Sequence, residues 1–232
     1  LSFYFGKKLP IVEHYKNNIK KQVPILYTGL ITSPGSITFQ PNIPLEGFVI
    51  AFLPHGFSDL FQIDVSVFTD QLPDFTCLFE TESKMLYKQL GIAKDFESKS
   101  QVITNYLLSK LPHADNSSQV MEAIRKIIET KGRVDVKELA YAANMSWKTL
   151  ERHFRTRVGV TPKMYARFKR FHHALSLLNE PSPRSWLEIA EICGYYDQAH
   201  FIKEFRKFTH QNPSAFHVKD YPLFYRFIIE KK

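Results

Sequence analysis

The sequence predicts an α+β chain, mainly α, in which an N-terminal partial β-barrel with helices precedes an all-α half of two helix-turn-helix units joined by a long helix. Three observations predict it. A phrase is written twice between Asp135 and Pro213, the first 54 residues are short β-branched and aromatic runs divided by Pro and Gly, and the charge changes sign between the two halves.

The repeat carries most of the weight. Glu138-Leu139-Ala140 opens a run through Ser146, Leu150 and Phe154 to Pro162, and Glu188-Ile189-Ala190 opens a second through Asp197, Phe201 and Phe205 to Pro213. The offset is 50 residues at the first pair and 51 at the prolines, so a single residue has been added between the first helix and the turn of the second copy. In each copy a short helix carries a small residue, Ala140 or Ala190, that lets a second helix come close. A turn follows at Asn144-Met145 or Gly194-Tyr195-Tyr196, and the next helix starts on Ser146 or Asp197, whose side-chain oxygen can accept from a free backbone N–H. Leu150 with Phe154, and Phe201 with Phe205, stand i,i+4 and mark the core side.

At about 100° per residue, the opposite side of the first copy holds Lys148, Arg152 and Arg155 beside Thr149, and that of the second holds Ala199, Lys203 and Arg206 beside His200. Arg and Lys can meet guanine O6 and N7 in a major groove, and small apolar groups can meet the thymine methyl. Two cationic outer faces therefore predict a reader of double-stranded DNA.

The net charge of +8 is unevenly placed. Up to Asn116 there are 10 Lys, no Arg and 11 acidic residues, a balance of −1; from Ser117 onward 21 basic residues face 12 acidic ones, a balance of +9. A basic half joined to a near-neutral one fits a nucleic-acid module beside a sensing or assembly module. No run of about 18 apolar residues is present, so no membrane span is expected. The chain begins at Leu1, not Met, which predicts sequence upstream and gives the missing leader little weight.

Cofactors and metals are not expected. Cys77 and Cys193 have no CxxC or Cys/His cluster near them, which fits a reducing cytoplasm, and Cys193 reads as a buried small residue. No HxH or spaced carboxylate accompanies His55, which reads as a turn histidine. His172-His173 is adjacent on a helix, so its rings diverge to the surface and the core edge. Nucleophile elbow, P-loop and dinucleotide fingerprints are also missing, which argues against an enzyme.

Along the chain, Val23 to Thr32, Ser36 to Gln40 and Gly47 to Leu53 read as strands, separated by Ser33-Pro34-Gly35 and Pro41-Asn42-Ile43-Pro44. Helical texture runs from Asp59 to Leu111, broken at Pro73 and Gly91, with its clearest helix from Asp95 through Val102, Ile103, Tyr106, Leu107 and Leu111. That stripe reads as domain core, with a ligand pocket or a dimer seam as the alternatives. The polar stretch Pro112 to Ser118 coincides with the change of charge and sets the boundary, giving domains 1–113 and 117–218 with a tail 219–232. A helix from Gln119 to Thr130 turns Val120, Ile124, Ile127 and Ile128 inward and stops at Lys131-Gly132. The long helix from Pro162 carries Met164, Phe168, Phe171, Leu175 and Leu178 as one stripe, and should hold the recognition helices near one DNA turn apart, ~34 Å. The tail, with Tyr221, Phe224, Tyr225 and Phe227, packs on the second domain or meets a partner subunit.

The segment IAEICGYYDQAHFIKEFRKFTHQNPSAF resembles the signature of the AraC/XylS family of bacterial transcription regulators: a helix ending in Gly-aromatic, then Asp-Gln, a Phe, a second Phe four residues later, and a Pro. The resemblance spans roughly Ser117 to Val218. One departure is His210-Gln211-Asn212, where the family carries a Gly before the Pro; the first copy keeps it in Gly159-Val160-Thr161-Pro162. The β-to-helix order around Phe52 to Phe57 is similar to a degenerate cupin-like regulatory domain found in one branch of the family.

The resemblance and the helical wheel together imply base contacts from Trp147, Lys148, Glu151 and Arg152 and from Gln198, Ala199, His200 and Lys203, with Trp147 and Ala199 resting on the resemblance. Arg155, Arg157, Lys163, Arg206 and Lys207 are expected on phosphates, which set register and affinity. By resemblance the protein is an activator, with RNA polymerase, a second copy through the N-terminal domain and a small-molecule effector as further partners. The alternative is a protein-interaction module that keeps the fold without operator binding.

Overall fold

The computed structural model describes residues 1–14, 18–32, 35–38, 44–111, 118–180, 182 and 184–216. It is mostly helical with a small N-terminal β layer, and divides into two compact units. The first contains Leu1–Ser117 and His153–Val160, the second Ser118–Arg152 and Thr161–Lys232. The expected boundary at 112–117 and the tail 219–232 lie outside the described residues.

In the first unit six strands form two antiparallel sheets. Strand β1 (Ser2–Gly6) lies between β4 (Ile25–Leu26) and β6 (Leu45–Val49), with Phe3 opposite both Ile25 and Phe48. Strand β2 (Ile11–His14) lies between β3 (Ile19–Lys21) and β5 (Gly35–Thr38). Three or so strands were expected and six are present among the described residues; of the three that went unread, β1 carries no alternation to betray it. Phe3 and the adjacent Tyr4 are both buried, Phe3 with Ile25, Phe57 and Phe75, and Tyr4 with Val12, Leu26 and Leu72. Covered on both faces, the strand reads as a plain apolar run. The expected strand at Val23 to Thr32 shrinks to Ile25–Leu26, following Pro24, which offers no N–H to a ladder.

The chain then turns helical: α1 (Gly56–Phe61), a 3-10 turn (Val65–Phe68), α2 (Phe75–Leu78), α3 (Glu80–Ile92) and α4 (Phe96–Lys110). Gly91 does not break α3 as expected; the break falls at Ala93-Lys94. Asp95 caps α4 by accepting from the Ser98 N–H at 2.7 Å, with Ser98 reaching back to the Asp95 N–H. Ile103 is buried and Val102, Tyr106 and Leu107 pack beside it, but Leu111 is exposed. Aromatic stacking supports this core, with the Tyr27 and Phe57 rings 3.9 Å apart.

The second unit is built from α5 (Ser118–Glu129), α6 (Val136–Ala142), the start of α7 (Trp147–Val158), α8 (Pro162–Leu178), α9 (Trp186–Ile192) and α10 (Gln198–Thr209). Helix α5 buries Val120, Ala123, Ile124 and Ile127; Ile128, expected inward, is exposed, one step beyond the stripe. Thr161 caps α8 and Pro162 occupies its first position, where a missing N–H costs nothing. Helix α8 has 17 residues, ~25 Å at 1.5 Å each. Phe171, Ala174, Leu175 and Leu177 join the core of α9 and α10, which adds Ile189, Ala190, Cys193, Phe201, Phe205 and Phe208.

On another face α8 meets the end of α5. Gly132 has φ +79°, and a Cβ there would sit 2.1 Å from the Ala166 carbonyl oxygen. Buried on two faces, α8 is the axis of this unit, which the single stripe read from the sequence did not reveal.

Candidate nucleic-acid interface

The two helix pairs, α6 with α7 and α9 with α10, have matching local geometry. Each first helix ends in a left-handed residue, Asn144 at φ +47° or Gly194 at φ +69°. After α6, the Met145 N–H donates to the Ala140 carbonyl at 3.1 Å and the Asn144 N–H to Tyr141 at 2.9 Å. After α9, the Tyr195 N–H donates to Ala190 at 2.8 Å and the Gly194 N–H to Glu191 at 3.0 Å. This is the Schellman arrangement twice over, with hydrogen bonds in the same register.

The following helices are capped as the sequence predicts. Ser146 Oγ accepts from the Thr149 N–H at 3.2 Å, and Asp197 Oδ1 accepts from the His200 N–H at 2.6 Å. Each cap satisfies one of four backbone donors left open at a helix start and places a dipole or charge where it is favourable. Leu150, Phe154, Phe201 and Phe205 are fully buried, which fixes how each helix is rotated about its axis.

That rotation decides what faces outward. On α7, Lys148, Arg152 and Arg155 are exposed, Trp147 and Glu151 are half-buried. On α10, Gln198, Ala199, His200, Lys203, Arg206 and Lys207 are exposed, as is Lys163 at the start of α8. Lys148, Lys163 and Lys203 have no ion-pair partner among the described residues, so their ammonium groups are available to an anion.

Among the expected phosphate contacts, Lys207, Arg206 and Arg157 have described partners within the chain. Lys207 Nζ is 2.8 Å from Glu204 Oε1, Arg206 Nε donates to Asn212 Oδ1 at 2.5 Å, and Arg157 Nη1, half-buried, is 3.4 Å from Asp59 Oδ1 within the first unit. Glu204 is buried on α10 and also takes the Arg167 guanidinium at 2.6 Å.

Two features were missed in the sequence reading. His200 Nδ1 lies 3.4 Å from the Tyr196 backbone nitrogen, placed to accept its N–H, which in the neutral ring leaves Nε2 as the donor. Tyr196 itself is 92% exposed at the mouth of α10. An aromatic beside a helix cap was the available signal, but its exposure depends on Tyr195 taking the buried side.

The remaining titratable groups serve the core. Burial pulls His172 down to about 4, with Lys169 adding to the effect. Burial likewise pushes the Cys193 thiol up to about 11 and His173 below its ordinary value. Cys193 is therefore a protonated core thiol. His55 lies at the turn before α1, its Nε2 3.8 Å from Asp59 Oδ2. Among the described residues no group of three His, Cys, Asp or Glu is placed to hold a metal ion, and no helix is long and apolar enough to cross a membrane.

Paired helices with matching turns and cationic outer faces define a helix-turn-helix domain, and comparison with known proteins gives the same class. Residues 139–218 match the family described as "Helix-turn-helix domain", so this part of the chain carries a helix-turn-helix domain. The chain is 31% identical over 94 residues to the HTH-type transcriptional regulator MtrA of Neisseria gonorrhoeae, covering 40% of this chain and 31% of that protein. It is 35% identical over 75 residues to the HTH-type transcriptional regulator GbdR of Pseudomonas aeruginosa, covering 32% and 20%. The match thus spans about a third or less of these relatives' length. Among solved structures, the DNA-binding domain of AdpA in complex with a target DNA aligns at 29% identity over 49% of this chain and 97% of that one, TM-score 0.39. ToxT of Vibrio cholerae O395 aligns over 100% of this chain and 89% of that one at 11% identity, TM-score 0.48.

Proposed function

We propose that the chain is a sequence-specific DNA-binding transcription regulator that reads two successive major grooves, one with α7 and one with α10. The observation that carries this reading is the repeated turn: Schellman bonds in the same register, a side-chain cap at the same position and a buried i,i+4 pair expose a cationic helix face in each copy. Lys148, Glu151 and Arg152 serve as base readers on α7 and Gln198, Ala199, His200 and Lys203 on α10, with Trp147 at the edge of the first groove. Lys163, Arg155, Arg157, Arg206 and Lys207 reach phosphates, with Arg157, Arg206 and Lys207 leaving or sharing the internal partners named above.

The MtrA and GbdR names support the regulator class. In this reading residues 117–218 bind DNA and residues 1–113 form a regulatory or assembly domain, its two packed sheets being part of a barrel-like layer. Activation through RNA polymerase, pairing of two copies through the N-terminal domain and response to a small molecule belong to the same proposal. Neither reaction chemistry nor a cofactor is part of it.

The test is selection of duplexes from a random DNA library by the full chain, repeated across a salt series. An enriched site with two elements about one helical turn apart, ~10 base pairs, is expected. Salt-sensitive binding without an enriched motif overturns sequence-specific reading and leaves only a basic surface.

A further inference from the structure

Arg170, near the middle of α8, sits where two helix C-termini converge. Its Nη2 donates to the Gly132 carbonyl at 3.1 Å and its Nη1 to the Gly194 carbonyl at 3.4 Å, while its guanidinium carbon lies 5.5 Å from the centre of the Tyr195 ring. Gly132 follows α5 and leads into Asp135, the cap of α6; Gly194 is the turn between α9 and α10. One side chain therefore holds a loop of each helix pair.

Neighbouring groups reinforce the junction. Arg133 Nη1 donates to the Ile192 carbonyl at 3.1 Å, and its Nε would lie 2.9 Å from a Cβ on Gly194. A Cβ on Gly132 would meet the backbone nitrogen of Arg170 at 2.7 Å as well as the Ala166 oxygen, so the loop rests directly on α8. The Ile192 carbonyl is the last of α9, short of a partner and carrying partial negative charge that the Arg133 guanidinium satisfies, while the Gly132 and Gly194 carbonyls taken by Arg170 lie in the turns just past α5 and α9. The fork also places two donors on different acceptors at once, which an ammonium on a flexible stem does not do with fixed geometry. Arg170 Nε is buried without a partner, so the side chain is held there by the two carbonyls against a local cost.

We propose that Arg170 is a positioning residue that sets the spacing between the two recognition helices by locking the α5–α6 loop and the α9–α10 turn to one point on α8. The proposal rests on the two-groove reading above. Two linked readers gain avidity only when geometry lets both engage together, a gain on the order of 10²–10⁴-fold. Rigidity concentrates that gain on one spacing. Loosening the junction reduces binding at the preferred spacing and flattens the penalty for other spacings, while either element alone is bound as before.

The test uses the full chain with Arg170→Met and Arg170→Lys, and three duplexes: the two-element site from the selection, the same site with five base pairs inserted between its elements, and a site with one element scrambled. Wild type is expected to lose about 100-fold or more on insertion. Each variant is expected to lose less than about 10-fold, with its affinity for the scrambled site within about 3-fold of wild type. The Lys variant keeps the charge and supplies the measurement where the Met variant fails to fold. An insertion penalty unchanged from wild type in a folded variant overturns the proposal, as does a matching loss on all three duplexes. If wild type itself shows no preference for two elements, the two-groove reading fails instead.

Discussion

Arg167 Nε lies 2.6 Å from Glu204 Oε2, and the same carboxylate takes Lys207 at 2.8 Å, so an acidic residue on the inner side of α10 organises two cations. Burial pushes the Glu204 carboxyl up, but the Arg167 and Lys207 hydrogen bonds together outweigh it and hold the group below the ordinary carboxylate range. A group with a depressed folded pKa contributes stability above its unfolded value, ~4.3, and loses it as pH falls through the folded value. Glu204→Gln is expected to remove that contribution. The difference in unfolding free energy between wild type and variant, from urea titrations, should be constant at pH 6–7 and shrink below about pH 4. A difference that grows on acidification contradicts the assignment. For Glu204→Ala the cost is about 2 kcal/mol, less than the 3–5 kcal/mol of a fully buried pair, because the Lys207 side chain is 53% exposed.

Gly132→Ala tests the packing of α8. The substitution places a methyl 2.1 Å from the Ala166 oxygen at φ +79°, where a non-glycine residue already costs roughly 1–2 kcal/mol. Since the obstacle is backbone, no side chain can swing away. A loss of at least about 3 kcal/mol in chemical denaturation is expected. By contrast, Asn144→Gly, at a similar φ of +47° but with a residue that tolerates it, is expected to change stability by less than about 0.5 kcal/mol. Equal effects at the two sites refute the steric argument.

His210→Gly addresses the departure from the first copy. His210 ends α10 at φ +56°, where the first copy has Gly159 at φ +90°. The histidine bears the strain of the left-handed region, and glycine relieves it while adding about 0.5–1 kcal/mol of unfolded-chain entropy. A net gain near 0.5 kcal/mol is expected, seen as a thermal midpoint raised by about 1–2 °C for a chain of this size. A lowered midpoint shows that the imidazole contributes a contact that offsets its strain.

The second half was legible because its structure is specified locally and written twice. Ser146, Asp197 and Thr161 act as caps through hydrogen bonds spanning only three residues, and the buried i,i+4 pairs sit on single helices. What escaped the sequence depends on distant partners. Strand β1 gave no alternation because Phe3 and Tyr4 enter different cores. Arg157 looked like a free cation until the fold supplied Asp59, 98 residues away; Lys207 with Glu204, by contrast, is an i,i+3 pair on one helix that the sequence did offer. The role of Arg170 depends on carbonyls 38 and 24 residues away, which no periodicity encodes.

The tautomer of His200 makes the most specific statement about base reading. A backbone N–H can only donate, so the Tyr196 N–H fixes Nδ1 as acceptor and leaves Nε2–H as a single outward donor at the start of α10. Such a donor suits a purine N7, guanine O6 or thymine O4 and gives nothing to the cytosine amino group. His200→Ala is expected to reduce discrimination at one base pair by about 1–3 kcal/mol, and Lys203→Ala to do the same at a neighbouring pair. Lys163→Ala should instead weaken every duplex alike and lower the slope of log K against log salt by about 1. The three variants can be compared on the selected site, its single-base substitutions and random DNA. A cytosine amino group preferred opposite His200, or a uniform loss for His200→Ala across all duplexes, removes the imidazole from base readout and makes it a local support for the turn before α10.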